Sequence, residues 1–144
     1  MSAKPSIKHQ AGCLPLRHTS SGPQVLLVTS RYTGQWIAPK GGIEAGETPA
    51  EAAAREAAEE AGVSGRALGR LGSFDYPRGG GQVGRVESFA LLVTKQHDQW
   101  PEQHQRKRRW FTLKQAMDAV VRPEALGMLQ ALQEGSYLNE PDQK

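Results

Sequence analysis

The segment Gly41-Gly-Ile-Glu-Ala-Gly-Glu-Thr-Pro-Ala-Glu-Ala-Ala-Ala-Arg-Glu-Ala-Ala-Glu-Glu-Ala-Gly-Val63 predicts a helix with defined ends. Thr48 and Glu51 have the spacing of a capping box, and Pro49 suits the first helical position. Gly62 tolerates the left-handed conformation that ends many helices. We therefore expect a helix that begins at about Pro49 and stops at Gly62.

One face of this helix is small and apolar. At about 100° per residue, one side carries Ala50, Ala53, Ala54, Ala57 and Ala61. Such a face allows the helix to lie close against a sheet, although alanine alone buries little area.

Elsewhere the helix concentrates negative charge. Glu56, Glu59 and Glu60 fall within an arc of about 100°, and only Arg55 offsets them. Like charges three or four residues apart destabilise a helix, but a divalent cation would reverse the sign of the interaction. Carboxylate oxygens are the ligands that Mg²⁺ or Mn²⁺ prefers. The arc therefore predicts a metal site, whereas composition alone favours an acidic surface helix.

Strand and helix signals surround this segment. Apolar segments predict strands over 7–17, 24–30, 68–76, 86–94 and 108–112. Thr112 and Pro123 predict two further helices, reaching about 121 and 135, and the second places Leu126, Leu129 and Leu132 on one packing face. The glycine-rich segment 77–84 predicts an irregular loop, a candidate lid or substrate loop. Strands interleaved with helices predict an α/β fold with a mixed sheet.

Length and composition predict one domain. The chain has 144 residues, of which 38% are hydrophobic and 23% charged, so we expect a domain over 1–135 and a loose tail over 136–144. No apolar run could span a membrane and the start lacks the core of a secretory signal, so we expect a cytoplasmic protein. The single cysteine, Cys13, excludes an internal disulfide and favours a buried structural role.

The acidic helix belongs to a longer motif. Eight positions form the pattern G-x5-E-x7-R-E-U-x-E-E-x-G-U, where U is a bulky aliphatic residue: Gly41, Glu47, Arg55, Glu56, Glu59, Glu60, Gly62 and Val63. This pattern resembles the Nudix box, and its seven fixed positions should match by chance on the order of once in a million. Ala57 stands where the family usually has a bulky aliphatic residue. The resemblance implies an α/β/α sandwich with a loop-helix-loop metal site.

The resemblance also implies a chemistry, the hydrolysis of a phosphoanhydride bond with Mg²⁺ or Mn²⁺ as cofactor. Glu56 and Glu60 would be the main metal ligands. Glu59 would be a further ligand or the catalytic base. Arg55 and Glu47 would form an ion pair that orients these carboxylates. Metal would lower the pKa of bound water and neutralise charge on the phosphates.

A second resemblance covers most of the chain. The segments 25–30, 36–39, 68–72, 91–94 and 106–111 resemble the diphosphoinositol polyphosphate phosphohydrolase branch, which also cleaves diadenosine polyphosphates. Arg109 stands where that branch commonly has Glu, and 78–85 carries less charge than its basic substrate loop. Pro39-Lys-Gly41 instead resembles diadenosine polyphosphate hydrolases. We therefore predict a small-molecule substrate with a phosphate chain and leave its end group open.

Several residues outside the acidic arc are candidates for the substrate site. Net charge is +3, and the basic run 106–109 could contact phosphate. The predicted substrate-binding residues are Lys8, Lys40, Gly41, Gly42, Arg78, Arg85 and Arg108. Tyr76 and Trp36 could stack on a base, although sheet aromatics are more often core residues. Glu87 is the candidate base outside the box.

Two other functions fit the same motif. One is a Nudix-fold module that senses a nucleotide without hydrolysing it, but the intact glutamates at 56, 59 and 60 favour an enzyme. The other is removal of a 5′ diphosphate from RNA, which predicts strongly salt-dependent RNA binding. Nucleic acid is the less favoured partner, no membrane partner is expected, and the oligomeric state is not predicted.

Overall fold

The structure is a computed structural model that describes residues 6–138. Its strands are β1 (Ser6–Thr19), β2 (Gly22–Thr29), β3 (Trp36–Ile37), β4 (Lys40–Gly42), β5 (Val63–Gly79), β6 (Gln82–Gln96) and β7 (Arg108–Thr112). Its helices are α1 (Pro49–Ala61), α2 (Leu113–Ala119) and α3 (Pro123–Glu134). Within these residues, no helix is long and apolar enough to cross a membrane.

The strands form one mixed sheet. Its main path runs β3-β2-β1-β6-β5, while β4 pairs with β1 and β7 pairs with β2. β1 and β6 are parallel over residues 6–16 and 82–92, and the other pairs are antiparallel. β1 is therefore hydrogen-bonded to three strands, and it brings β4, which leads into α1, beside the centre of the sheet.

Helices cover both faces of the sheet. Cys13 and Leu26 point into a core cluster with the alanines of α1, whereas Leu14 and Leu27 point into a cluster with α2 and α3. Because successive side chains of a strand point to opposite faces, the two clusters lie on opposite sides of the sheet. The predicted α/β/α sandwich is confirmed.

The glycine-rich segment 77–84 is a hairpin rather than a loop. β5 continues to Gly79 and β6 resumes at Gln82, with Gly80 and Gly81 at φ of 61° and 76° between them. Two consecutive positive φ values suit a two-residue hairpin turn, and glycine adopts them without a steric penalty. The glycines that predicted irregular structure therefore make the turn that joins two long strands.

The packing face of α3 differs from the predicted one. Leu129 and Leu132 are buried, but Leu126 is 36% exposed, and the other buried residues of the helix are Glu124, Ala125 and Met128. A spacing of three residues advances by about 300°, so a third leucine rotates away from the sheet. Spacings of three and four residues alternate along the face that is in fact buried.

Part of the predicted tail is packed. Tyr137 and Leu138 lie against the cluster beneath α3, and the Tyr137 hydroxyl donates to the Arg70 carbonyl at 3.5 Å. The remainder of the predicted tail, 139–144, lies outside the described residues.

Candidate active site

The acidic helix is fixed at both ends as predicted. The Thr48 hydroxyl accepts a hydrogen bond from the Glu51 amide, and the Glu51 carboxylate accepts one from the Thr48 amide. Gly62 ends α1 with a φ of 67°, and its amide donates to the Ala58 carbonyl at 3.2 Å. These local contacts fix where the helix begins and ends.

Two of the three clustered glutamates lie on the buried face of α1. That face comprises Ala52, Ala53, Glu56, Ala57, Glu60 and Ala61. It is rotated from the predicted alanine face, since Ala52 is buried whereas Ala50 and Ala54 are only half-buried. Glu56 and Glu60 are 8% and 4% exposed, so two carboxylates are buried between α1 and the rest of the protein.

A glycine makes room for one of these carboxylates. A Cβ at Gly41 would overlap the Glu56 carboxylate, because β4 passes directly beside that side chain. At the next position, a Cβ on Gly42 would lie 3.9 Å from Lys8 Nζ and meet nothing closer. The close approach therefore requires glycine at 41 and not at 42.

Arg55 connects the acidic residues to one another. Its Nε donates to Glu47 Oε2 at 2.7 Å, and its Nη2 donates to Glu47 Oε1 at 2.9 Å. Its Nη1 lies 2.8 Å from Glu56 Oε1 and 3.4 Å from Glu59 Oε2. Nη2 also donates to the Gly42 carbonyl at 2.9 Å. The predicted Arg55–Glu47 ion pair is present, and these hydrogen bonds lower the pKa of Glu47 to about 2.

Glu60 is held by partners from two other parts of the chain. The Lys40 amide donates to Glu60 Oε1 at 3.0 Å, and Arg106 Nη2 donates to Glu60 Oε2 at 3.3 Å. Burial raises the pKa of Glu60 to about 8 despite these contacts. Burial also raises the pKa of Glu56. A positive charge close to both carboxylates would therefore stabilise their ionised forms.

Arg106 joins this carboxylate to the neighbouring loop. Its Nε donates to Glu102 Oε1 at 2.8 Å, and its Nη1 donates to the Thr29 carbonyl at 3.0 Å. Its side chain is only 7% exposed. The arginine therefore fixes the end of β2 and the 97–107 loop against the C-terminal half of α1.

Lys40 is oriented by an aromatic side chain from β5. Its Nζ lies 3.1 Å from the Tyr76 hydroxyl and 4.2 Å from the centre of the ring. The Tyr76 hydroxyl in turn donates to the Gln10 side-chain oxygen. Tyr76, a predicted base-stacking residue, is therefore a neighbour of the Lys40 ammonium.

The three clustered glutamates, Lys40, Tyr76 and Arg106 face one cavity of about 820 Å³. Its acidic lining residues are Glu56, Glu59, Glu60, Glu102 and Glu124. Its basic lining residues are Arg31, Lys40, Arg78, Arg106 and Arg122. Gly41, Gln10, Ser30, Tyr32, Tyr76 and Pro123 also line it. The cavity thus combines three carboxylates from α1, one from the 97–107 loop and one from α3 with cations from several parts of the chain.

Some predicted site residues lie elsewhere. Arg108 donates to the Ala61 carbonyl at 3.0 Å and stacks on Trp100, so it caps the C-terminus of α1. Arg85 forms two hydrogen bonds of 2.9 Å with Asp75 on the hairpin. Neither arginine lines the cavity, because each is engaged by these other partners.

Three further candidates occupy other surroundings. Glu87, the candidate base outside the box, forms an ion pair with Arg70 at 2.8 Å on the β5–β6 hairpin. Trp36 packs edge-on against Phe111, with ring centroids 5.1 Å apart, as a core residue. Lys8 lies beside Gly42 at the edge of the site, outside the cavity lining.

Cavity residues that the sequence did not single out come from outside the motif. Glu102, Glu124, Arg31 and Tyr32 line the cavity, and none lies within 41–63. The i,i+4 pair Glu102–Arg106 was visible in the sequence, but its proximity to Glu60 was not. Tyr32 was visible as an aromatic residue in a polar turn.

The donor set suits a hard divalent cation. The side chains of Glu56, Glu59 and Glu60 supply carboxylate oxygens, and the missing Cβ at Gly41 leaves space beside them. Their present partners are guanidinium groups, and within residues 6–138 no three acidic, His or Cys side chains converge as a metal site. A cation bound here would therefore share these carboxylates with Arg55 and Arg106.

Comparisons with known proteins found a matching family model, similar sequences and similar folds. The family model described as the NUDIX domain matches residues 8–132. "Nudix hydrolase 16, mitochondrial" of Arabidopsis thaliana is 35% identical over 142 residues, which cover 87% of this chain and 77% of that protein. "Diphosphoinositol polyphosphate phosphohydrolase 2" of Rattus norvegicus is 40% identical over 116 residues, which cover 78% of this chain and 63% of that protein. The chain thus spans less than two thirds of the rat protein's length.

Solved structures show the same fold. An Ap4A hydrolase of C. elegans in a binary complex superposes with a TM-score of 0.71 at 23% identity, covering 87% of this chain and 94% of that one. The Nudix hydrolase RenU of M. smegmatis superposes with a TM-score of 0.70 at 22% identity, covering 96% and 91%. At such identities the similarity establishes the architecture.

Proposed function

The chain belongs to the NUDIX domain family, and on that premise we propose that it is a divalent-metal-dependent hydrolase of phosphoanhydride bonds. The proposed substrates are small molecules with a phosphate chain, of the diadenosine polyphosphate or diphosphoinositol polyphosphate type. The rat relative is a diphosphoinositol polyphosphate phosphohydrolase and the C. elegans neighbour is an Ap4A hydrolase, which supports these two classes.

One observation carries the proposal. Glu56, Glu59 and Glu60 line the same cavity as Lys40, Arg78 and Arg106. A phosphate chain needs cations along its length, and its hydrolysis needs a divalent metal that offsets charge on the phosphates. A cavity that combines these two kinds of group suits this chemistry better than it suits an uncharged ligand.

Glu56 and Glu60 are the proposed principal metal ligands, with Glu59 as a further ligand or as the base. A bound Mg²⁺ or Mn²⁺ would supply charge neutralisation and a more acidic water molecule. The Glu59 side chain is 40% exposed, more than its two neighbours, so water in the cavity can reach it. This exposure favours Glu59 as the group that accepts the proton of the attacking water.

Arg55 and Glu47 are proposed as positioning residues. Arg55 touches Glu47, Glu56 and the Gly42 carbonyl with different nitrogen atoms, so it fixes the helix relative to the strand before it. A planar guanidinium can hold several acceptors in one geometry, which an ammonium cannot. The pair would keep the carboxylates in place without touching the substrate.

Lys40 and Arg78 are the proposed contacts to the phosphate chain. Both line the cavity, and the Tyr76 hydroxyl limits the positions that the Lys40 ammonium can take. An ammonium held in advance loses less conformational entropy when it binds an anion. The Gly41 backbone, beside Glu56, is proposed to approach the phosphate nearest the metal.

The test is release of phosphate or nucleotide from a panel of diadenosine polyphosphates, diphosphoinositol polyphosphates, nucleoside triphosphates and 5′-triphosphorylated RNA. Each substrate is assayed with Mg²⁺, with Mn²⁺ and with chelator. We expect metal-dependent turnover of at least one small-molecule class. Tight binding without turnover would overturn the proposal in favour of a sensor, and turnover of RNA alone would overturn the proposed substrate class.

A further inference from the structure

A buried carboxylate in the cavity lacks a hydrogen-bond partner. The Glu124 side chain is only 4% exposed and lines the same cavity as the acidic helix. Its Oε1 has no hydrogen-bond partner among residues 6–138, and the nearest cation, Arg122 Nη1, is 3.7 Å away. A buried acceptor without a donor costs free energy, and Oε1 is closed to solvent in this side-chain rotamer, so a rotation of the carboxylate toward the cavity would let a ligand donor stabilise it.

Helix capping does not account for this burial. Glu124 lies in the first turn of α3, where a negative charge interacts favourably with the helix dipole. An exposed acid at the same position would gain that interaction without losing its hydration. Burial against the cavity therefore needs a second explanation.

A second residue that lines the same cavity, Tyr32, is largely exposed to solvent. Tyr32 is 90% exposed, and the Arg31 guanidinium, 5.9 Å from its ring centre, is its aromatic-ring partner in the described part of the chain. Its loop is nevertheless closed by backbone hydrogen bonds from Ser30 to Gln35 at 2.8 Å and from Gly34 to Ser30 at 2.9 Å. A fixed loop thus presents an aromatic face that contributes little to the core.

We propose that Tyr32 and Glu124 form an end-group subsite for a nucleoside, which rests on the proposed function and narrows its substrate class. The Tyr32 ring would stack on the base, and the Glu124 carboxylate, rotated toward the cavity, would accept a hydrogen bond from a ribose hydroxyl or a base amino group. Base–aromatic stacking tolerates any base because each has a π face. The hydrogen bond adds selectivity because its loss leaves a buried acceptor unpaired.

The same two residues disfavour a phosphorylated inositol as the end group. A carboxylate that faces the end group repels phosphates placed there, and Arg122 is already the ion-pair partner of that carboxylate. The Tyr32 ring carries no positive charge that could bind a phosphate. The subsite therefore selects a dinucleoside polyphosphate over a diphosphoinositol polyphosphate.

The test measures binding by calorimetry in Mg²⁺ for two ligands, a methylene-bridged dinucleoside polyphosphate that resists hydrolysis and inorganic tripolyphosphate. We expect the wild-type chain to prefer the dinucleoside ligand by at least about tenfold. Tyr32→Ala and Glu124→Leu should each reduce that preference by about three- to tenfold, and Tyr32→Phe should retain it. Leu126→Ala, a half-exposed position on α3 outside the cavity lining, is the matched control.

Because Glu124→Leu replaces a buried residue, thermal unfolding accompanies each measurement, and Glu124→Met provides a second variant of similar size that lacks an oxygen acceptor. Tyr32→Ala removes an exposed ring and leaves the core unchanged. A preference that is absent in the wild type, or that survives in both Tyr32→Ala and Glu124→Met, would overturn the proposal.

Two ligand analogues identify the donor. If Glu124 accepts from ribose, 2′,3′-dideoxy ends should bind the wild type and Glu124→Leu equally. If Glu124 accepts from a base amino group, ligands that carry hypoxanthine, which has no amino group, should bind the wild type and Glu124→Leu equally. A Glu124 effect that persists with both analogues would refute the hydrogen bond.

A turnover assay distinguishes the nucleoside subsite from the proposed hydrolase activity. Nucleoside preference without metal-dependent turnover would sustain the subsite and refute the enzyme. Turnover of diphosphoinositol polyphosphates without nucleoside preference would sustain the enzyme and refute the subsite.

Discussion

Arg106 Nη2 lies 3.3 Å from Glu60 Oε2, and 46 positions separate the two residues in the chain. Both side chains are nearly buried, at 7% and 5% exposure. The contact makes the C-terminal half of the acidic helix dependent on a cation from the loop before β7. A bound divalent metal would compete with that cation for the same carboxylate.

Arg106→Met should destabilise the metal-free protein by about 3 kcal/mol, because it leaves Glu60 and Glu102 without their shared partner. Mg²⁺ should then raise the melting temperature more in the variant than in the wild type, since metal can replace the lost positive charge. Thermal unfolding with Mg²⁺ and with chelator measures both effects. Arg85→Met, which removes an exposed ion pair on the hairpin, is the control, and an equal loss of stability there would contradict the argument.

Glu60→Gln should lower metal-dependent turnover by at least about 100-fold while the protein remains folded. The carboxamide can still accept the Lys40 amide hydrogen bond but is a poorer ligand for a divalent cation. Turnover and Mn²⁺ titration calorimetry test the two halves of this prediction. Wild-type activity in the variant would remove Glu60 from the metal site.

Arg55→Lys should lower kcat by about ten- to 100-fold and change KM less, since Arg55 is proposed to orient the carboxylates without touching the substrate. A lysine cannot donate at once to Glu47, Glu56 and the Gly42 carbonyl. Steady-state kinetics across metal concentrations provide the measurement. A rise in KM at constant kcat would instead place Arg55 at the substrate.

The Arg55–Glu47 pair should make stability depend on pH in the acid range. The pKa of Glu47 is lowered from 4.5 to about 2 in the folded chain, so its stabilisation is fully present above pH 4.5 and is lost as pH falls towards 2. The stability difference between wild type and Glu47→Gln should therefore shrink between these values. Chemical denaturation at a series of pH values gives that difference, and one that stays constant would show that the pair is not coupled to folding.

Gly41→Ala should reduce activity with little loss of stability. The new Cβ would displace the Glu56 carboxylate, which is the flexible end of a side chain, so the site shifts while the backbone is retained. Gly42→Ala is the matched control, because its Cβ would lie 3.9 Å from the Lys8 side chain. Turnover and melting temperature of both variants test the contrast, and similar losses in the two would show that the Gly41 contact has no special role.

Much of the site is readable from the sequence because it is local. Thr48 and Gly62 mark the ends of α1, and the spacing of 55, 56, 59 and 60 follows from helical periodicity. The glycines of 77–84 predict an irregular loop, but the structure has a hairpin there, because glycine is common in both irregular loops and tight turns. Only strand pairing distinguishes a loop from a turn here, and β5 and β6 pair with each other up to Gly79 and Gln82 on either side of the turn.

Arg106 and Arg108 make contacts that are not predictable from the sequence. They are two residues apart in one basic run, yet the first contacts Glu60 and the second caps the C-terminus of α1. Their directions depend on how β7 pairs with β2 and how the preceding loop crosses α1, where the Glu102 amide donates to the Glu59 carbonyl at 3.1 Å.

The sequence by itself therefore determined the helix, its ends and its acidic arc, because these depend on interactions within about four residues. The tertiary structure decided which cations reach that arc, that Glu56 and Glu60 are buried, and that Tyr32 and Glu124 share their cavity. Those outcomes depend on strand pairing between distant segments, and the burial that follows from it sets both the partners of each charge and the pKa of Glu60.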